Sequence, residues 1–356
     1  MGGANVPSAR RRFRRARRLR DSRRGVVAVV GTLLALLVFF ALFGIFLTQY
    51  VPLWMTDNES QFTSQAATSF FQFKSNIDQQ YVLGAPQSYG TPFTVSSQGV
   101  PLIAQPTQGT LVFLPTTCPG GFYTTGVSGA NAANYGQPVN PAYCVFQNVS
   151  LSTGPGGSGP YYQKVPSGVV EMVLPNRYFN PQTFYFEDDG VIQSQGGLAQ
   201  IMASPPPFNI TTVAGNTTFT TSFLQLYGNA STVIGQGSEQ VFSHLRYSQV
   251  LSSTEASSKP FTVSYEIGTQ YPCAWQRFFM TQMNVSGVPY ALTPSAGVTS
   301  YNWTNPVTHA KTIPVANAAC TSNIGLTTVL AVNVYDLDFA TVYYAGVQVV
   351  LGVGGT

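Results

Sequence analysis

"RRGVVAVVGTLLALLVFFALFGIF" (residues 23–46) sets two arginines and a glycine against an apolar run that carries no charge. The uncharged stretch from Gly25 to Tyr50 is 26 residues long. At ~1.5 Å per residue, a helix of that length crosses a ~30 Å hydrocarbon core. It is too long for the apolar part of a secretory leader, and no A-x-A-like cleavage site follows it. Upstream, ten of the 17 Lys and Arg residues lie between Arg10 and Arg24, against the single acid Asp21. From Thr56 onward there are seven basic and twelve acidic residues, so the formal charge of +4 averages a tail near +9 with a body near −5. A basic block can bind nucleic acid. Beside an apolar span it marks the cytoplasmic flank, so membrane and no nucleic acid is the expectation. The reading is a single-pass protein of the cell membrane, N terminus cytoplasmic and residues 56–356 extracellular.

The body agrees with an outside address. Cys118, Cys144, Cys273 and Cys320 are even in number and contain no C-x-x-C pair, as in a disulfide-bonded secreted region. Pairing neighbours as 118–144 and 273–320 would close loops worth about 3.5 and about 4 kcal/mol by chain entropy; the other two connectivities stay open. Glycosylation sequons begin at Asn148, Asn209, Asn216, Asn229, Asn284 and Asn302, with a seventh at Asn58 close to the membrane.

Beyond the apolar run, Pro52 is expected to kink or end the helix. "TDNE" (56–59) then reads as a capping box, with the Thr56 hydroxyl and the Glu59 carboxylate serving each other's backbone N–H groups. Phe62, Ala66, Phe70, Phe73 and Ile77 follow at helical spacing and form one apolar face, with Gln61, Ser64, Gln65, Lys74 and Asp78 elsewhere. From Leu83 on, helical periodicity is scarce, and short runs rich in Val, Thr, Tyr and Phe between turn residues read as strands. "TFYFEDDGVIQSQ" (183–195) reads as a hairpin turning at Asp189-Gly190, and 208–227 as two strands around Ala214-Gly215. In 329–353, Asp336 and Asp338 alternate with Tyr335, Leu337 and Phe339, as on a solvated strand face.

The expected fold class is α+β, mainly β: a transmembrane helix and an amphipathic helix followed by a large β-sandwich-like extracellular region. Residues 1–24 form a basic cytoplasmic leader, 25–51 the membrane helix, 52–82 a juxtamembrane helix and 83–356 the β-rich region. Any division of that last region would fall near the Gly/Pro-rich stretch 152–162.

Catalytic chemistry is not expected. His244 and His309 stand apart without an i+4 partner, and neither a G-x-S-x-G elbow nor a phosphate-binding loop is present. Glu187-Asp188-Asp189 and Asp336/Asp338 raise calcium, but neither matches an EF-hand loop, and turn formation accounts for the first group. No metal or cofactor is expected. "PCAWQRFF" (272–279) reads as core packing around a disulfide.

Arg24-Gly25-Val26 followed by "VVAVVGTLLALL" resembles the class III signal sequence of archaeal type IV pilins and related surface proteins. Segments 91–113 and 175–197 are similar to stretches of large archaeal pilin-like secreted proteins. The resemblance implies that a prepilin peptidase cuts between Gly25 and Val26, with Arg24 and Gly25 recognised and Val26 as the new N terminus. It also implies self-assembly, or assembly with other pilin-like subunits, through the freed helix. Gly31, Ala35, Ala41 and Gly44 offer small residues for close helix packing. Two expectations follow: a processed pilin-like structural or adhesive protein, or an unprocessed single-pass glycoprotein whose β ectodomain binds an envelope or external ligand.

Overall fold

The structure, a computed structural model, describes residues 29–84, 86–101, 103–115, 145–153, 161–196, 199–235, 237–255, 261–288, 290–293, 301–303 and 328–352. One helix, α1 (Val29–Leu83), carries the N-terminal part, and a mainly β region follows it, so the fold is α+β. Helix α1 is 55 residues long, about 80 Å at 1.5 Å per residue.

Pro52 does not end this helix. A π-helical turn at Phe46–Tyr50 immediately precedes it. Proline has no N–H, and its ring crowds the carbonyl four residues back; the wider π turn relieves that crowding and lets the helix run on. The capping box does not form either. Thr56 Oγ1 donates back to the Pro52 carbonyl at 2.9 Å, as mid-helix threonines do, and Glu59 is used elsewhere. The helix stops at Gly84, whose left-handed φ of 60° lets its N–H reach the Gln80 carbonyl at 3.0 Å.

Among the described residues, seventeen strands form three sheets. The first runs β1 (Ser88–Thr94), β12 (Ser238–Glu255), β17 (Phe339–Leu351), β10 (Asn216–Tyr227) and β9 (Phe208–Val213), antiparallel except for the β10–β17 pair. The second runs β11 (Ser231–Ile234), β2 (Thr110–Leu114), β5 (Val169–Leu174), β6 (Gln182–Glu187), β7 (Gly190–Gln195) and β8 (Ala199–Ser204). The third runs β15 (Tyr301–Trp303), β14 (Tyr290–Thr293), β16 (Thr328–Leu337), β13 (Phe261–Thr269), β3 (Val145–Thr153) and β4 (Tyr161–Ser167). Each sheet joins strands far apart in sequence as well as sequential neighbours. The strands on either side of the 152–162 stretch, β3 and β4, pair with each other in one sheet.

Two apolar cores lie on opposite faces of the second sheet. Phe184 and Phe186 of β6 join one core with Phe62, Ala66, Phe70, Phe73 and Ile77 of α1. Tyr185 joins the other with Phe208, Tyr265 and helix α2 (Pro272–Ser286). A strand buried on both faces loses the polar–apolar alternation that a half-buried strand shows. The α1 stripe is therefore core, as its spacing predicts; Phe70 and Phe73 both meet Phe93 edge-on.

Helix α2 covers the stretch read above as core packing around a disulfide, with no helix assigned to it. Cys273 is disulfide-bonded, its partner lying outside the described residues, and Trp275 is fully buried. Asp338 departs from its expected solvated position. It is buried between β16 and β17, its carboxylate accepting the Thr217 N–H at 2.6 Å while its own N–H donates to the Thr217 carbonyl at 2.9 Å.

Candidate functional site

Among the described residues, nothing packs over the first half of α1. Val29, Leu33, Leu37, Phe40 and Leu42 are each about half exposed or more, and the most apolar 18-residue window is unburied. Phe39, Phe43, Phe46 and Tyr50 stack in succession along it at centroid separations of 6.0, 6.5 and 5.9 Å. Trp54 closes on Phe46 edge-first. Tyr50 and Trp54, both exposed, lie where the apolar run gives way to Asp57. Amphipathic rings favour that level of a bilayer. This helix is long and apolar enough to span a membrane.

The second half is fastened to the β region by a carboxylate. Glu59 lies in phase with the apolar stripe and is fully buried. Its Oε2 accepts the backbone N–H groups of Tyr178 and Phe179 at 2.7 and 2.8 Å, and its Oε1 that of Arg177 at 3.1 Å. The Thr107 hydroxyl donates to Oε1 at 2.5 Å. Burial by itself raises the Glu59 carboxyl; the hydroxyl and the three N–H groups outweigh it and hold the carboxyl below its ordinary value. Further along, Gln80 donates to the Ser243 carbonyl at 2.7 Å and Asn76 to Thr91 Oγ1 at 2.8 Å.

The β6–β7 hairpin turns one residue earlier than its sequence predicts. Asp188 and Asp189 take positive φ values of 46° and 63°, while Gly190 pairs with Glu187 as the first residue of β7. The acidic tip is also buried rather than solvated. Trp275 Nε1 donates to Glu187 at 2.6 Å, joined by the Thr269 hydroxyl. Asp189 forms an ion pair at 3.2 Å with Lys74, which lies off the apolar stripe and is buried. Among the described residues no three His, Cys, Asp or Glu side chains converge as a metal site.

On the outer face of the first sheet, Tyr247 of β12 and Tyr344 of β17 bring their hydroxyls within 2.5 Å, and both donate to Gln225 of β10. Arg246 forks onto Gln348 Oε1 through Nε and Nη2 at 3.0 and 2.5 Å, and it also bonds Tyr227. His244 stacks on Phe242; burial first, and then the Arg246 charge, lowers its pKa. The Tyr247 ring lies on Gly346, where a Cβ would sit 2.2 Å from ring carbon Cζ.

Of the sequons, Asn209, Asn216, Asn229 and Asn284 are exposed, while the Asn302 side chain lies outside the description. Asn148 is half-buried on β3, and its side-chain nitrogen donates to Glu266 Oε2 at 2.9 Å. Arg24, Gly25, Val26, Cys118, Cys144, Cys320 and His309 fall outside the described residues.

Replacing Glu59 by Gln is expected to lower unfolding free energy by about 2 kcal/mol, since bonds to a charged acceptor weaken. A depressed folded pKa gives stability that is complete above the ordinary carboxyl range and lost as pH falls through the lower folded value. Denaturant titrations from neutral to acid pH should show that acid-side loss in the parent and less of it in E59Q. Comparison of the chain with protein families, with curated proteins and with solved structures finds no match in any of the three.

Proposed function

We propose that the chain is a pilin-like surface subunit, structural or adhesive, that is held in the cell membrane by α1 and presents the β region outside. The observation that carries this reading is the division of one helix: apolar and bare over residues 29–50, then locked to the β region from Met55 to Gln80. A bare apolar helix suits lipid, and it suits a bundle of its own kind equally well. The Arg24-Gly25-Val26 resemblance supplies the step between those two states. Cutting after Gly25 removes the ten arginines that hold the tail at the cytoplasmic face and leaves the helix free to leave lipid. The cationic tail supports the orientation, and the exposed sequons at Asn209, Asn216, Asn229 and Asn284 suit a glycosylated outer surface.

A second reading, an unprocessed anchor whose β region binds an external ligand, is favoured by the Tyr247–Tyr344–Gln225 face. Its rings and hydrogen-bonding groups are already ordered by one another, so little conformational freedom is left to lose on binding. Aromatic rings and arginine are also the groups that dominate binding energy at interfaces.

Substituting Gly25 by Phe should leave the uncut chain, heavier by the leader, in the membrane fraction of the native cell; normal cutting of that variant would contradict the first reading. Gly346→Ala forces the Tyr247 ring off its seat at the sheet surface. If the second reading holds, the variant should lose at least tenfold in cell-surface or envelope binding while its unfolding midpoint shifts little; unchanged binding would count against it.

A further inference from the structure

The tip of the β6–β7 hairpin is where the layers of the protein meet. Three successive carboxyls point from it to different elements. Glu187 bonds Trp275 of α2 and Thr269 at the end of β13. Asp189 meets Lys74 of α1, which also holds Asp78 at 3.1 Å, and Tyr81 stands near enough to feel the Asp189 charge. Asp188 lies between them near Tyr265 of β13, whose hydroxyl takes a hydrogen bond from Gln147 of β3 at 2.8 Å. Glu187 and Asp188 are fully buried; the Asp188 main-chain carbonyl accepts from Gln147 at 3.4 Å, but neither of its carboxyl oxygens has a hydrogen-bond partner among the described residues. Among those residues the ion pairs are the two that Lys74 makes. One ammonium therefore faces Asp78 and Asp189, and Asp188 has no cation of its own. An ionised carboxylate buried without partners costs several kcal/mol, whereas its neutral form costs far less.

We propose that the acidic hairpin tip is an acid lock: it holds α1, the middle sheet and the β13–α2 layer together while Asp188 carries a proton, and it loosens as pH rises past neutrality. Burial raises all three carboxyls. Glu187 is pushed to about 7 by burial against the opposing bonds from Thr269 and Trp275. Asp188 goes well above the ordinary range by burial and then by the Glu187 and Asp189 charges. Asp189 goes to about 7 by burial, with Lys74 pulling down and Asp78 pushing up. For an acid whose folded pKa is raised, the folded state binds more protons than the unfolded one. Stability is then full at and below the ordinary carboxyl range and falls as pH climbs toward the folded values. Glu59 acts on the acid side of that window. His244, with its lowered pKa on the outer face, works in the opposite direction and can only diminish the fall. A surface protein built in this way suits an acidic exterior, whether or not its leader is removed.

The test is thermal unfolding of the full chain in neutral detergent between about pH 5 and about pH 8.5, followed by circular dichroism. The parent should lose roughly 5 °C or more in Tm across that window, and Asp188→Asn should lose less and be the more stable of the two at the upper end. A parent Tm that is flat or rises with pH would overturn the proposal, as would an Asp188→Asn slope equal to the parent's. Infrared spectroscopy of the parent keeps the idea testable if that variant does not fold. A protonated carboxyl C=O band should persist at about pH 6, above the ordinary Asp and Glu range; its absence would overturn the lock.

Discussion

One helix must satisfy two surroundings, and the rest of the molecule is arranged around that requirement. Over residues 29–50 α1 carries no charge and is almost wholly apolar or small, and nothing among the described residues covers it. Over Met55 to Gln80 only one stripe is apolar, because the β region covers that stripe alone. The π turn at Phe46–Tyr50 marks the change and lets Pro52 sit inside a helix that proline would ordinarily interrupt.

The attachment is unusual in resting on buried carboxyls as well as on phenylalanines. Glu59 gathers three backbone N–H groups and a hydroxyl and is favoured ionised. At the other end of the buried stripe, Asp189 meets Lys74 beside Asp188, whose carboxyl has no hydrogen-bond partner among the described residues. The two ends of the seam thus have opposite appetites for protons. Deep acid weakens the Glu59 end, and the hairpin end is strained as pH rises, which confines the tightest attachment to an intermediate, mildly acid range.

Much of this was legible in the sequence, and the failures share a cause. Phe62, Ala66, Phe70, Phe73 and Ile77 announce their face because a helix in contact with one surface must repeat near 3.6 residues. Ala214-Gly215 announces its turn because glycine supplies the positive φ. Glu59 was misassigned because its local use, a capping box with Thr56, competes with a partner more than a hundred residues away. Its position in phase with Met55 and Phe62 was the available signal that it is buried. The Asp188-Asp189 turn was displaced by one residue because Gly190 is the commoner turn former. Its burial follows from a sheet enclosed on both faces, which no local window reveals. Helix α2 was missed although Pro272 at its start, the spacing of Trp275, Phe278, Phe279 and Met283, and the left-handed Gly287 at its end are ordinary helix marks.

The bare half of α1 is the feature on which the proposed function rests, and that use begins with its new end. Intact-mass measurement of the protein taken from native membranes tests this most directly. A chain beginning at Val26 is the result the account predicts. A chain that still carries Arg10 through Arg24 would contradict it and leave α1 as a plain anchor.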